Sequence, residues 1–104
     1  LVLIRQEIGD VLRTHRQRKG QTLRQVAARA SVALGYLSEV ERGQKEVSSE
    51  ILASVAEALD LPLAVVMREV SERVAAIEGH YFDNTYIPDT VPDDFVAEAE
   101  IYSH

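Results

Sequence analysis

The stretch from Thr22 to Gly43, Thr-Leu-Arg-Gln-Val-Ala-Ala-Arg-Ala-Ser-Val-Ala-Leu-Gly-Tyr-Leu-Ser-Glu-Val-Glu-Arg-Gly, constrains this chain more than any other. Its apolar spacing predicts two short helices with a tight turn between them. Thr22 is placed to cap the first, and Gln25 three residues later completes a T-x-x-Q capping box. Val26, Ala27 and Ala30 give that helix one small apolar side. The tetrapeptide Ala30 to Ala33 breaks the pattern, and Tyr36, Leu37 and Val40 resume it at helical spacing. Gly43 suits the position just past a helix end. Helices of under three turns do not hold themselves up in water, so neighbouring elements must fix the pair at an angle. The expected unit is a helix-turn-helix.

The flanks supply those neighbours. Ile4, Ile8, Val11, Leu12 and His15 lie at helical spacing and predict helix one over 3–18, ended by Gly20. Helices two and three are expected over 23–30 and 34–42, followed by a loop over 43–47. Ser48 is a cap for helix four, whose stripe is Ile51, Leu52, Val55, Ala56 and Leu59. Pro62 suits the first turn of helix five. There Leu63, Met67, Val70, Val74 and Ile77 repeat with four-three spacing, a heptad-like seam about two repeats long. Its early part should pack on the domain. Its later part, Val70, Val74 and Ile77, is expected to pair with a second copy, the alternative being that all of it belongs to the monomer core. Residues 79–104 change character, with six acids, no basic residue, two prolines and several aromatics. A short amphipathic helix is expected over 93–102, and the region is expected to dock on a surface such as that of the dimer mate, the alternative being an acidic mimic that shields the basic face. The predicted organisation is an all-α chain of five helices: 1–61 as the helix-turn-helix core, 62–78 as helix five, and 79–104 as an acidic aromatic tail.

Net charge is −6, a poor sign for attraction to a polyanion until it is divided. Residues 1–45 carry nine basic side chains against four acids, whereas residues 46–104 carry two against thirteen. A local positive face, not the overall sign, attracts phosphate. In the second helix of such a motif, placed in the DNA major groove, N-terminal and outward residues meet base edges. Around it, the free N–H groups at the start of helix two, near Thr22, form an anion site, with Arg24 beside it. Arg13, Arg16, Arg18 and Lys19 crowd the end of helix one, either as a solvated terminus or with one or two on DNA backbone. Arg29 reads as a surface residue.

Residues Tyr36-Leu37-Ser38-Glu39-Val40-Glu41-Arg42-Gly43 match without a gap the second half of the pattern of the Cro/C1-type (Xre family) helix-turn-helix regulators, and Thr22 with Val26-Ala27 matches the first half. The resemblance spans about residues 8–67 and implies a lambda-repressor-like fold. By the family pattern, the base-reading positions are Ala33, Leu34, Gly35, Ser38 and Glu39. Leu34 can meet a thymine methyl, Ser38 can donate or accept, and Glu39 can accept from cytosine N4, unless it is a solvated helix acid. The phosphate-binding set implied is Thr22, Arg24, Tyr36, Arg42, Gln44 and Lys45. Glu41 is implied to pair with Arg16 and to be structural. Three departures stand out: Leu23 where the family has Gln, Ser31 where it has the turn glycine, and Ala33 where it has a capping serine or threonine.

The resemblance implies a sequence-specific transcriptional regulator acting as a homodimer on a pseudo-palindromic duplex. Within the family the whole chain looks like the actinobacterial regulators of Clp protease and related proteostasis genes, which implies activation and hence a contact with RNA polymerase. The competing class is a protein-partner adaptor or antitoxin of the same fold, to which the acidic tail would be suited. An enzyme is not indicated, since H-E-x-x-H, G-x-S-x-G and phosphate-binding glycine loops are missing. No cofactor and no metal site is expected: cysteine is absent, the three histidines are scattered, and the acids over 83–94 lack the glycine and terminal glutamate of a calcium loop. His15 reads as a satisfied core histidine. The opening Leu-Val-Leu-Ile run is too short to span a bilayer and lacks the basic leader of a signal peptide, so a cytoplasmic protein without membrane contact is expected.

Overall fold

The computed structural model describes residues 2–81. They form five helices: α1 Ile4–Arg18, α2 Leu23–Ala30, α3 Leu34–Glu41, α4 Ser49–Ala58 and α5 Leu63–Tyr81. Local chemistry explains most of the boundaries. The Thr22 hydroxyl accepts from the Gln25 N–H at 3.1 Å, while Gln25 Oε1 accepts from the Thr22 N–H at 2.9 Å, so the capping box is closed in both directions. The Ser48 hydroxyl accepts from the Ile51 N–H at 3.2 Å and starts α4. Ala33 offers no side-chain cap, and α3 starts without one.

Helix ends are closed by residues in the left-handed region. Ser31 has φ of 58° and Asp60 φ of 54°, although neither is glycine. At both, the following N–H reaches back to the helix, Val32 to the Ala27 carbonyl at 3.0 Å and Leu61 to the Ala56 carbonyl at 2.9 Å. These wraps satisfy carbonyls that the helix end leaves open, which offsets the strain of the backbone. Ser31 thus makes the turn for which the resemblance implies a glycine. Pro62 stands just before α5, not inside it, and its carbonyl accepts from Val65 at 3.0 Å.

The core is built where all five helices meet. Leu12, Val26, Leu37, Val40, Val55, Leu59 and Val66 are almost wholly buried. Alanines 27, 30, 56 and 58 let α2 and α4 approach closely. α1 packs on α3 and α5, α2 on α3 and α4, and α4 on α5. α5 runs to Tyr81, past the expected end at residue 78, and its first half is part of the core. The expected seam on α5 is not one face. Val70 is 4% exposed and belongs to the monomer core, so it is not available for dimerisation as expected. Val66, outside the four-three series, is the most buried residue of α5, whereas Leu63 and Met67 are 40% and 47% exposed. The helix is rolled toward its Val66 side, because that side faces α1 and α4. Val74 packs at the edge of the core and Ile77 is half-buried. The expected helix over 93–102 and the docking of the tail lie outside the described residues.

One glycine carries the approach of α1 to α3. A Cβ placed on Gly9 would lie 2.5 Å from the Val40 carbonyl oxygen and 2.6 Å from that of Glu41. Backbone meets backbone there. Gly35 on α3 is the opposite case, with no atom of the described residues within 4 Å of such a Cβ. Urea unfolding separates the two. Gly9→Ala should lose about 1–3 kcal/mol, as an overpacked core does. Gly35→Ala should gain about 0.5–1 kcal/mol, as a helical glycine replaced by alanine does.

Candidate nucleic-acid interface

α3 has too few residues to be stable alone, so its neighbours decide which of its sides faces out. Leu37, Val40 and Glu41 point inward. Leu34 and Gly35 are exposed, Ser38 and Glu39 half-exposed, and Arg42 exposed just past the helix end. Gly35, Ser38, Glu39 and Arg42 stand at i, i+3, i+4 and i+7 and form a single outward stripe. The five positions implied for base reading are therefore brought together at the solvent side of α3, with Ala33 at its start.

The roll of α3 is locked through its inward acid. Arg16 on α1 donates from Nε to Glu41 Oε2 at 2.7 Å and from Nη2 to Oε1 at 2.9 Å. Its remaining nitrogen, Nη1, donates to the Gln21 carbonyl at 3.1 Å. The side chains are only 16% and 7% exposed. A two-pronged guanidinium–carboxylate pair fixes orientation as well as distance. The hydrogen bonds to Glu41 raise the Arg16 pKa above its ordinary value, against the opposing effect of burial. A raised basic pKa gives stability that is lost only as pH rises beyond the arginine range, so this cation is present at any working pH.

Arg5 adds a second tie, donating from Nε to the Gly43 carbonyl at 2.9 Å and from Nη1 to Glu46 at 3.1 Å. Gly43 has φ of 74°, and a Cβ there would meet Gln6 at 2.6 Å. No signal in the sequence singles out Arg5 or Gly9 for this task. Both act through residues more than thirty positions away.

The structure also sorts the basic residues. Arg16 is bound to Glu41, Arg5 to Glu46, Arg29 to Asp60 at 3.5 Å, and Lys19 to the Leu59 carbonyl at the end of α4. Among the described residues, Arg13, Arg18, Arg24, Arg42 and Lys45 form no ion pair. Arg13 lines a cleft with Leu23, Ser38 and Arg42, beside the outward stripe. Arg18 lines a different groove, between α1 and α5, with His15 and Glu69. Of the four cations at the end of α1, Arg13 and Arg16 stand next to α3, and Arg13 alone of these two is left without an ion pair among the described residues, which the sequence could not distinguish. His15 is satisfied by Glu69, with Nε2 2.5 Å from Oε2.

The residues implied for phosphate are unequal in what they have free. Arg24 and Lys45 are exposed, as is Arg42, whose guanidinium donates to the Ser38 hydroxyl and, at 3.4 Å, to Gln44. The Tyr36 hydroxyl donates to the Glu46 carbonyl at 2.9 Å, so its proton is already used within the protein. The N–H groups of Thr22 and Gln25 are taken by the capping box. This leaves those of Leu23 and Arg24 at the head of α2.

A short helix held rigidly with one polar stripe outward, beside unpaired cations, defines a helix-turn-helix DNA-binding module. The chain belongs to the helix-turn-helix domain family, which covers residues 7–69, and within it to the transcriptional regulators of ClgR type. The transcriptional regulator ClgR of Mycobacterium tuberculosis is 54% identical over 76 residues, which is 73% of this chain and 68% of that one. A crystal structure of the clp gene regulator ClgR from Corynebacterium glutamicum is 39% identical and covers 99% of this chain and 96% of that chain, with a TM-score of 0.71. The restriction-modification controller protein C.Esp1396I, solved as a tetramer with its 35 base-pair operator, shares the fold at 18% identity, over 69% of this chain and 95% of its own, with a TM-score of 0.64. These relatives are regulators, not enzymes. No helix among the described residues is long and apolar enough to cross a membrane.

The ion pair yields a stability test. Glu41→Gln leaves the Arg16 cation without its counter-charge and should cost about 3–5 kcal/mol in urea unfolding. Arg16→Met combined with Glu41→Leu should recover most of that loss. A single-variant cost under about 1 kcal/mol would mean that the pair does not hold α3.

Proposed function

We propose that this protein regulates transcription by inserting α3 into the major groove of a pseudo-palindromic operator as a homodimer, and that it activates Clp protease and related proteostasis genes. The observation that carries the DNA reading is the single outward stripe of α3, with the unpaired Arg13 in the cleft that its Ser38 and Arg42 also line. Leu34, Gly35, Ser38 and Glu39 face the base edges, with Ala33 at the entry. Glu39 accepts from a base donor such as cytosine N4. Next to phosphate a carboxylate adds discrimination rather than affinity. Arg24, Lys45 and Arg42 with Gln44 hold the sugar–phosphate strands, joined by Arg13 and by the head of α2 at Thr22. Tyr36 contributes mainly by holding the loop at Glu46.

The Clp targets rest on the likeness to ClgR, which is described as a clp gene regulator. Activation is carried by the family resemblance and requires a surface for RNA polymerase. Dimerisation is assigned to the outer part of α5, to Val74 and Ile77 with Met67, since Val70 serves the monomer core. Two copies of α3 would then stand about one helical turn, roughly 34 Å, apart. An antitoxin or adaptor role would instead leave the cations of the α3 face without a polyanion.

Fluorescence anisotropy with duplexes selected from a random pool should show affinity falling steeply with salt, because each phosphate contact releases a counterion. Lys45→Ala should weaken all duplexes alike and lower the salt slope by about 1. Glu39→Gln should instead change base preference by a free energy on the order of 1–3 kcal/mol at one position. In sedimentation velocity, Ile77→Glu should convert a dimer to monomer without loss of helix content. A dimer that survives this change places the interface elsewhere.

A further inference from the structure

Among the described residues, nothing in the fold requires Gly35 to be glycine. It sits in the first turn of α3 with ordinary helical backbone, and it is not one of the positive-φ glycines. A Cβ built on it meets nothing within 4 Å among the described residues. Alanine there would strengthen the helix, since glycine exposes backbone and loses more entropy on ordering. A position where the fold would gain from a side chain, on the outward face of an eight-residue helix, is constrained from outside the molecule.

Its surroundings indicate by what. Leu34 beside it is 37% exposed, an apolar side chain presented to solvent at the head of the helix. Ala33 before it carries no polar atom and makes no cap. Polar side chains on this stripe begin only one turn later, at Ser38 and Glu39. The head of α3 is thus an apolar surface with a notch one methyl group deep. On the major-groove edge of DNA, the 5-methyl of thymine is the one apolar group.

Resting on the base-reading role given to α3 above, we propose that Gly35 determines specificity by shape: a thymine 5-methyl group fills the space above its Cα, against the Leu34 side chain. Discrimination at that base pair comes from apolar contact and exclusion, with no hydrogen bond from residues 33–35. A Cβ at residue 35 and a methyl on the base then compete for the same volume. Removing one makes room for the other.

The competition is read by a double cycle between protein and DNA. The full chain and Gly35→Ala are titrated against a selected duplex in which each thymine of the half-site is replaced singly by deoxyuridine. At one thymine per half-site, uracil should weaken the unaltered protein by about threefold to tenfold. Gly35→Ala should bind the thymine duplex about tenfold more weakly, and uracil at that same position should restore much of the loss. A urea midpoint at or above that of the unaltered protein shows that the variant is folded. A flat uracil scan, or a Gly35→Ala loss that no uracil relieves, overturns the methyl assignment while leaving DNA binding intact. If selection returns no preferred sequence at all, the base-reading role itself fails, and this inference with it.

Discussion

The contact between α1 and the C-terminal end of α3 governs what the rest of the molecule can present. Gly9 lets the two backbones touch at the Val40 and Glu41 carbonyls, and Arg16 then clamps the Glu41 carboxylate with two parallel hydrogen bonds. Close packing sets the distance between the helices. The planar guanidinium sets the roll of α3 about its axis. An eight-residue helix without a side-chain cap has little stability of its own, so without this clamp no face of α3 would be outward in any defined sense. Leu37 and Val40 fill the space beneath, but greasy contacts alone tolerate rotation better than a bidentate pair does.

The same clamp divides the charges. A chain with net charge −6 attracts DNA only through the cations that internal acids leave free. Several arginines and a lysine of the first 45 residues are consumed in holding helices together: Arg5 on the Gly43 loop, Arg16 on Glu41, Lys19 on the end of α4. On the opposite side, Arg73 of α5 is divided between Glu7 at 2.9 Å and Asp10 at 2.8 Å of α1. Those carboxylates are thereby neutralised away from the α3 face. What remains beside α3 is a small set of unpaired cations rather than the whole positive half.

Much of the fold was legible along the chain because its signals are local. The Thr22–Gln25 box and the Ser48 cap act within three residues, and apolar spacing places all five helices within a few residues of their observed ends. The α5 face departs from its sequence spacing for an equally physical reason. Four-three spacing identifies a stripe but not the angle at which neighbours meet it, and the contacts with α1 and α4 draw in Val66 and Val70 while leaving Leu63 and Met67 outside. Ser31 shows the converse. Its residue type argued against a left-handed turn, yet two backbone hydrogen bonds hold it there.

The sequence by itself determined the five helices, the motif and the residues that α3 carries, since capping and periodicity depend on neighbours in the chain. Only the tertiary structure decided that Gly9 is a point of contact, that Arg13 stands by α3 while Arg18 faces α5, and that Gly35 faces open space among the described residues. Each of those depends on which atoms from remote segments arrive at the same place. That is a property of packing, and no spacing along one helix encodes it.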